Sequence, residues 1–457
     1  ADFKLHPDSD DVLLFNVVMS HLEHADDMAI VSYTPEGLQH HLNTFTHWCG
    51  DNFLQANTQK SWVMVFGPLP KDAPIFTLNG RVVGYKDHFC YVGVTFQSTA
   101  RNIFSAHYTA KASTARKTGH SVLGIEAYIG DIPPKEGRLL YMACIDPHLI
   151  SGADMIVDVD DAALALLEKV QTMFLRWLLG LGPNSMHALL FTELGLLPIQ
   201  YRRLILALRY LGYLVYGSLH LAALPPTHYV HLALEDSYSL YKAGGQGYWM
   251  DLVYALGKLP NPVVLPALPA LTPNACTVLG KAVYISAMKY LEGEILNSMC
   301  LYLLHGRKEP LKDEAPKRIT IFLRHYLTLV INNAHRRVLT RLLLSQHPLA
   351  VERMRYKSRY HRVDILREQR LCRFGCHQVE TVEHAMLQCT AKPELEERRH
   401  QFVVKVAATE PRLHAVTPGN ATAVLRALIF RRDTVCQVVK FAHQVFQLFD
   451  NTPMVWP

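Results

Sequence analysis

The sequence predicts an α+β chain: strands and turns up to about residue 96, mainly helix afterwards, and a small cysteine–histidine knuckle late in the chain. Three observations predict it. β-Branched and aromatic runs of strand length, broken by turn dipeptides, crowd the first hundred residues. Beyond them, apolar residues recur at three-four spacing over long stretches. Finally, Cys372, Cys376, His384 and Cys389 fall within 18 residues, spaced as two close ligand pairs. At 457 residues and 49% apolar content, the chain can bury substantial cores in two to four domains.

The first element is a hairpin. Apolar runs Val12–Val18 and Met28–Val31 flank His24-Ala25-Asp26-Asp27, which puts two adjacent carboxylates at a hairpin tip. Hard Mg²⁺ takes carboxylate oxygens, so such a tip can hold a divalent cation; a solvated turn is the competing reading. Pro35 to His47 carries Leu38, Leu42 and Phe45 at helical spacing. Then come Asn57-Thr58-Gln59-Lys60-Ser61 and the apolar run Trp62–Gly67. Asn79-Gly80 lies between two further apolar runs and marks a second hairpin. Phe89–Val94 follows, containing Tyr91-Val92-Gly93.

In this order and spacing, residues 22–94 resemble the reverse transcriptase of non-LTR (LINE-type) retrotransposons, especially fungal copies. His24 stands where that family usually has an aromatic residue. The resemblance implies that residues 1–96 are the C-terminal part of a polymerase palm. Asp26 and Asp27 would bind catalytic Mg²⁺, with Asp26 the more direct ligand. Lys60 would serve the leaving pyrophosphate, and Tyr91, Val92 and Gly93 would grip the primer. It also implies that fingers and a further catalytic aspartate precede Ala1. Asp8, Asp10 and Asp11 lie too close to the Asp26-Asp27 turn to replace that aspartate. The expected partners are an RNA template and a DNA primer or target, and the chain alone is expected not to polymerise.

Residues 97–242 read as a helical, thumb-like region. Segment 101–127 carries Lys111, Arg116 and Lys117, Pro133-Pro134 interrupts it, and 135–151 resumes. Asp160-Asp161 precede a stripe of Leu164, Leu167, Val170, Phe174, Leu178 and Leu181, acids being favoured at a helix N-terminus. Leu204, Leu208, Leu211 and Val215 repeat the pattern beside Arg202, Arg203 and Arg209. The wording of 131–216 also resembles the post-palm region of fungal LINE-type polymerases. Residues 243–275, rich in Gly and Pro, read as a connector. Helical patterns return over 276–370, at about 277–304 and 318–346, and close the chain over 393–457. There Val435, Val438, Ala442, Val445 and Phe449 form an apolar seam, packed internally or against another chain.

The knuckle occupies 371–392. Three thiolates and one imidazole can close a tetrahedral shell on structural Zn²⁺, and Gly375 eases the turn between Cys372 and Cys376. His377 is a competing ligand, whereas Thr381 and Glu383 read as surface or supporting residues. LINE-type proteins place a similar knuckle downstream of the thumb. Just before it, residues 353–370 hold seven Arg or Lys against two acids. Arg353, Arg355, Lys357, Arg359 and Arg362 suit phosphates, and Tyr356 and Tyr360 offer stacking faces for unpaired bases. A solvated basic face is the bland alternative.

Net charge of +6 permits nucleic-acid binding without requiring it. No phosphate-binding GxxxxGK[ST] loop, GxSxG elbow or HExxH helix is present. No run of about 18 uncharged apolar residues suggests a membrane span. Nine cysteines, six of them scattered, favour a reducing compartment, nuclear or cytoplasmic. Three functional readings stand: a reverse transcriptase fragment, a non-catalytic RNA- or DNA-binding remnant using thumb, basic stretch and knuckle, or a helical interaction scaffold with a structural zinc.

Overall fold

The computed structural model describes Phe3 and residues 9–68, 71–220, 229–355 and 364–456. They form an α+β chain of two compact units. One comprises 1–117, 146–169 and 199–286; the other comprises 118–145, 170–198 and 287–457.

The first unit carries eight strands in four separate antiparallel hairpins: β1 (Val12–Leu14) with β2 (Val17–Met19), β3 (His21–His24) with β4 (Asp27–Ile30), β5 (Phe76–Leu78) with β6 (Arg81–Val83), and β7 (His88–Tyr91) with β8 (Val94–Gln97). The turns explain the pairing. Phe15-Asn16, Asn79-Gly80 and Val92-Gly93 all have positive φ at both central positions, the turn whose twist matches paired strands. The expected partnership of Val12–Val18 with Met28–Val31 is therefore corrected. Val12–Leu14 folds back at Phe15-Asn16, and His21–His24 pairs with Asp27–Ile30 instead.

Helix Pro35–Asp51 forms as predicted, with Thr34 Oγ1 capping Gly37 N–H at 3.1 Å and Pro35 in its first turn. Its Leu38, Leu42 and Phe45 pack on a small core of Val63, Phe76, Leu78 and Val83. Asp10 and Asp11 anchor this helix. Asp10 Oδ2 accepts from Thr34 Oγ1 at 2.9 Å, and buried Asp11 meets buried His41 Nε2 at 2.9 Å.

Helix Asp161–Leu179 starts at Asp160, whose Oδ1 caps Ala162 and Ala163. Helix Ile199–His220 buries Leu204, Leu208, Leu211 and Val215 as the periodicity predicts. Two of its arginines are structural. Arg202 Nε binds Asp146 Oδ2 at 2.8 Å, and Arg203, 2% exposed, binds Asp158 and the Leu149 carbonyl. Part of the expected connector is also helix: Tyr248–Gly257 buries Trp249, Leu252, Ala255 and Leu256. Flanking Gly and Pro hid this one-and-four spacing.

In the second unit, helix Val435–Asp450 is the central element. Val435, Val438, Ala442, Val445 and Phe449 are all fully buried, so the seam packs internally. Helices Asn333–Leu343 and Pro393–Val406 lie against it. A polar network occupies the same unit. Arg307 Nη1 binds Glu193 Oε1 at 2.6 Å, Arg324 Nη1 binds Glu309 Oε2 at 3.2 Å, and His325 Nδ1 lies 2.9 Å from Glu309 Oε1.

Burial alone would push the Glu309 carboxyl up, but His325 and Arg324 outweigh it and hold it down at about 2, from 4.5. A depressed carboxylate stabilises the fold above its unfolded value and loses that contribution as pH falls. The second unit should therefore weaken between 4.5 and about 2. Chemical denaturation followed from about pH 5 to about pH 3 checks this, and Glu309→Gln should flatten the acid limb. Among the described residues, no helix is long and apolar enough to cross a membrane.

Candidate metal centre

The knuckle is built from two local devices. In the first, Leu371 and Val379 form an antiparallel bridge, and Cys372 N–H donates to the Gln378 carbonyl at 2.8 Å. The chain between them must reverse tightly. Gly375 at φ +79° and His377 at φ +58° do this, with Gly375 N–H on the Cys372 carbonyl at 3.1 Å. The second device is a single π-helical turn, His384–Gln388, closed by Cys389 N–H on the His384 carbonyl at 2.8 Å. Thr381 Oγ1 starts it by accepting from His384 N–H at 3.1 Å.

Together they converge four ligand atoms within 4.8 Å of one another. Cys372 Sγ and Cys389 Sγ are 3.9 Å apart, and Cys376 Sγ is 3.1 Å from His384 Nε2. A disulfide needs about 2.05 Å. Metal–sulfur bonds of about 2.3 Å set a tetrahedral sulfur–sulfur edge of about 3.8 Å, which the Cys372–Cys389 separation matches. Cys372, His384 and Cys389 are buried. The Cys372 thiol draws its neighbour Cys389 well below the usual thiol range, with His384 adding to the effect against burial. The same contact, followed by burial, pushes Cys372 up. A buried, closed donor set of this kind fits a metal ion. His377, the competing ligand, falls outside the group.

Three residues that the sequence reading gave no role hold the centre in place. Glu380 is fully buried and accepts from Arg373 Nη2 at 2.8 Å and from Ala350 N–H at 2.6 Å. Arg373 also donates to the carbonyls of Pro348, Phe449 and Thr452. Arg399 donates to the Met386 carbonyl at 3.1 Å and the Cys389 carbonyl at 2.8 Å, spanning the π turn. Neither arginine sits in a periodic pattern with its partner, so the sequence carried no signal for them. Glu383 is not a bare surface residue, since it accepts from Tyr302 Oη at 3.1 Å and Thr422 Oγ1 at 2.7 Å.

Three thiolates around a divalent ion leave a net charge of −1, and Arg399 is the cation bonded to this turn. Arg399→Gln should raise the rate at which a chelator strips metal by about 10-fold or more, with Arg399→Lys intermediate. Chelator-competition kinetics on the metal-loaded chain measure this; equal rates in all three proteins would refute it.

The other predicted residues are placed as follows. Asp26 and Asp27 are exposed at the β3–β4 turn, where Ala25 has φ +54°. Tyr91 Oη donates to the Leu22 carbonyl at 3.3 Å, bringing the β7–β8 hairpin against the β3–β4 hairpin. Burial, then Asp27, push the Tyr91 phenol up. Val92 and Gly93 are the β7–β8 turn itself. Lys60 is exposed in a turn closed by its own N–H on Asn57, and no ion pair joins it to Asp26 or Asp27 among the described residues. In the basic stretch, Arg353 and Arg355 are exposed, and Arg355 contacts Cys300 and Glu352. Arg370 is structural, bound to the Val351 and Ile365 carbonyls. Tyr356, Lys357, Arg359, Tyr360 and Arg362 lie outside the described residues. Among the described residues, the Cys372 tetrad is the one group of three or more close side chains able to hold a metal. No protein-family model matches this chain, and no curated protein matches it.

Proposed function

We propose that this chain is the C-terminal part of a LINE-type RNA-directed DNA polymerase, acting by holding an RNA template and a DNA primer. The observation that carries the reading is the Tyr91–Leu22 bond across 69 residues. It ties Tyr91 to the strand that leads into the Asp26-Asp27 turn, which supports reading the two hairpins as primer grip and carboxylate pair. The Cys372, Cys376, His384 and Cys389 tetrad, which would hold Zn²⁺, follows in the family's order. Such a zinc ion contributes folding energy to the tail.

In the complete enzyme, Mg²⁺ at Asp26 and Asp27 would stabilise charge on the transferring phosphoryl group. The Cys372, Cys376, His384 and Cys389 tetrad supports a nucleic-acid-holding role for the tail. Incubated with primed RNA, deoxynucleotides and Mg²⁺, the chain should not extend the primer yet should bind it. Extension abolished by Asp26→Ala would reverse the catalytic part of the proposal. Replacing Arg355, Arg359 and Arg362 by alanine should weaken binding to unpaired strands and reduce the salt slope by roughly one unit for each lost phosphate contact. Unchanged affinity and slope would remove the basic stretch from the binding surface.

A further inference from the structure

An open cavity of about 330 Å³ in the second unit shares no lining residue with the metal tetrad. Its volume sits at the low end of the range of about 300–1,000 Å³ typical of small-molecule sites. Arg307, Lys308 and Arg426 line it together with Pro316, Ala427 and Phe430, and no carboxylate does.

The backbone explains this charge. Glu309 pairs with Lys317 in an antiparallel bridge, with N–H to carbonyl distances of 2.7 and 3.1 Å. Side chains alternate across such a bridge. Glu309 therefore turns inward to Arg324 and His325, whereas the preceding Lys308 is exposed. Gly306 turns the chain at φ +65°, and Arg426 donates to the preceding His305 carbonyl. Arg307 is neutralised by Glu193, but among the described residues no carboxylate pairs with Lys308 or Arg426. Two uncompensated cations thus share a cavity with a half-buried aromatic ring.

We propose that this cavity binds a phosphate group carrying an attached nucleoside, with Lys308 and Arg426 on the phosphate oxygens and Phe430 against the base. Arginine and lysine donate charge-assisted hydrogen bonds to phosphate, and every base offers a π-face to an aromatic side chain. The source is either a phosphodiester of a single strand or a free nucleotide.

The test uses the full chain loaded with zinc. A fluorescent ten-nucleotide oligouridylate is titrated at several salt concentrations, with uridine monophosphate and inorganic phosphate as competitors. Lys308→Glu should weaken oligonucleotide binding several-fold and lower the salt slope by about 0.7 for each phosphate lost. Arg426→Gln should do the same, and Arg426→Lys should restore most of the binding. Thermal melts of each variant separate loss of the site from loss of the fold; Lys308 is exposed, so its variant keeps the wild-type transition. Competition by uridine monophosphate but not by phosphate supports a free-nucleotide site, and competition by unlabelled oligouridylate at concentrations where the monophosphate competes only weakly supports a phosphodiester of a single strand. Wild-type affinity and slope in a folded Lys308→Glu variant, with no competition by the monophosphate, would overturn the proposal. The alanine variants of Arg355, Arg359 and Arg362 change none of the residues that line this cavity, so the two claims are tested by separate variants.

Discussion

Replacing Cys376 by Ser should abolish stoichiometric metal binding and unfold residues 372–389 together with the contacts they anchor. Structural zinc contributes about 10–16 kcal/mol in isolated finger peptides. Whole domains are stable by about 5–15 kcal/mol, so even a fraction of that contribution decides whether the second unit folds. Elemental analysis of purified protein should give one zinc per tetrad in wild type and close to none in the variant. Addition of a strong chelator to wild type should reproduce the variant's proteolysis pattern. A variant that retains both metal and protection would remove Cys376 from the ligand set, and wild type that purifies without metal would mean that the tetrad is a packed thiol cluster without an ion.

The second large effect is expected at Glu380. Its carboxylate is fully buried and holds Arg373 Nη2 at 2.8 Å, Arg373 N–H at 2.9 Å and Ala350 N–H at 2.6 Å. Glu380→Ala leaves the Arg373 guanidinium, 4% exposed, without its countercharge. Breaking one side of a buried pair costs about 3–5 kcal/mol. Denaturant titration should show a loss of that size in the second unit, while Glu383→Ala, at a half-buried position, should cost less. Arg373→Met with Glu380→Leu should recover part of the loss, because replacing both charges removes the unpaired one. Equal effects of the Glu380 and Glu383 substitutions would show that the buried pair does not hold the knuckle.

The legible parts of this chain were those where short-range chemistry decides. Asn79-Gly80 encodes its turn directly, Asp160 encodes a cap, and Val435 to Phe449 encode a buried helical face. The metal tetrad was legible for the same reason, since ligand type and spacing are written within 18 residues. Strand partnership was less so. Val12–Leu14 could pair with either of two downstream runs, and the turn at Phe15-Asn16, two residues with no glycine, settled it. Electrostatic partners were illegible. Arg202, Arg203 and Arg370 read as a basic surface and Arg373 had no reading, yet each is bound to a carboxylate or carbonyl within its own unit. Burial at long range fixes such pairs, and composition does not record it.

The Arg373 clamp also sets an order of events while the chain is being made. All four knuckle ligands leave the ribosome well before Phe449 and Thr452, whose carbonyls complete the guanidinium's bonds. The four ligands close a local loop, whereas docking of helix Val435–Asp450 must wait until that helix is complete. The Arg373–Glu380 pair can therefore form while the helix side of the clamp is still empty. Helix Val435–Asp450 then closes onto Arg373, a latch of the second unit with the knuckle as its strike plate.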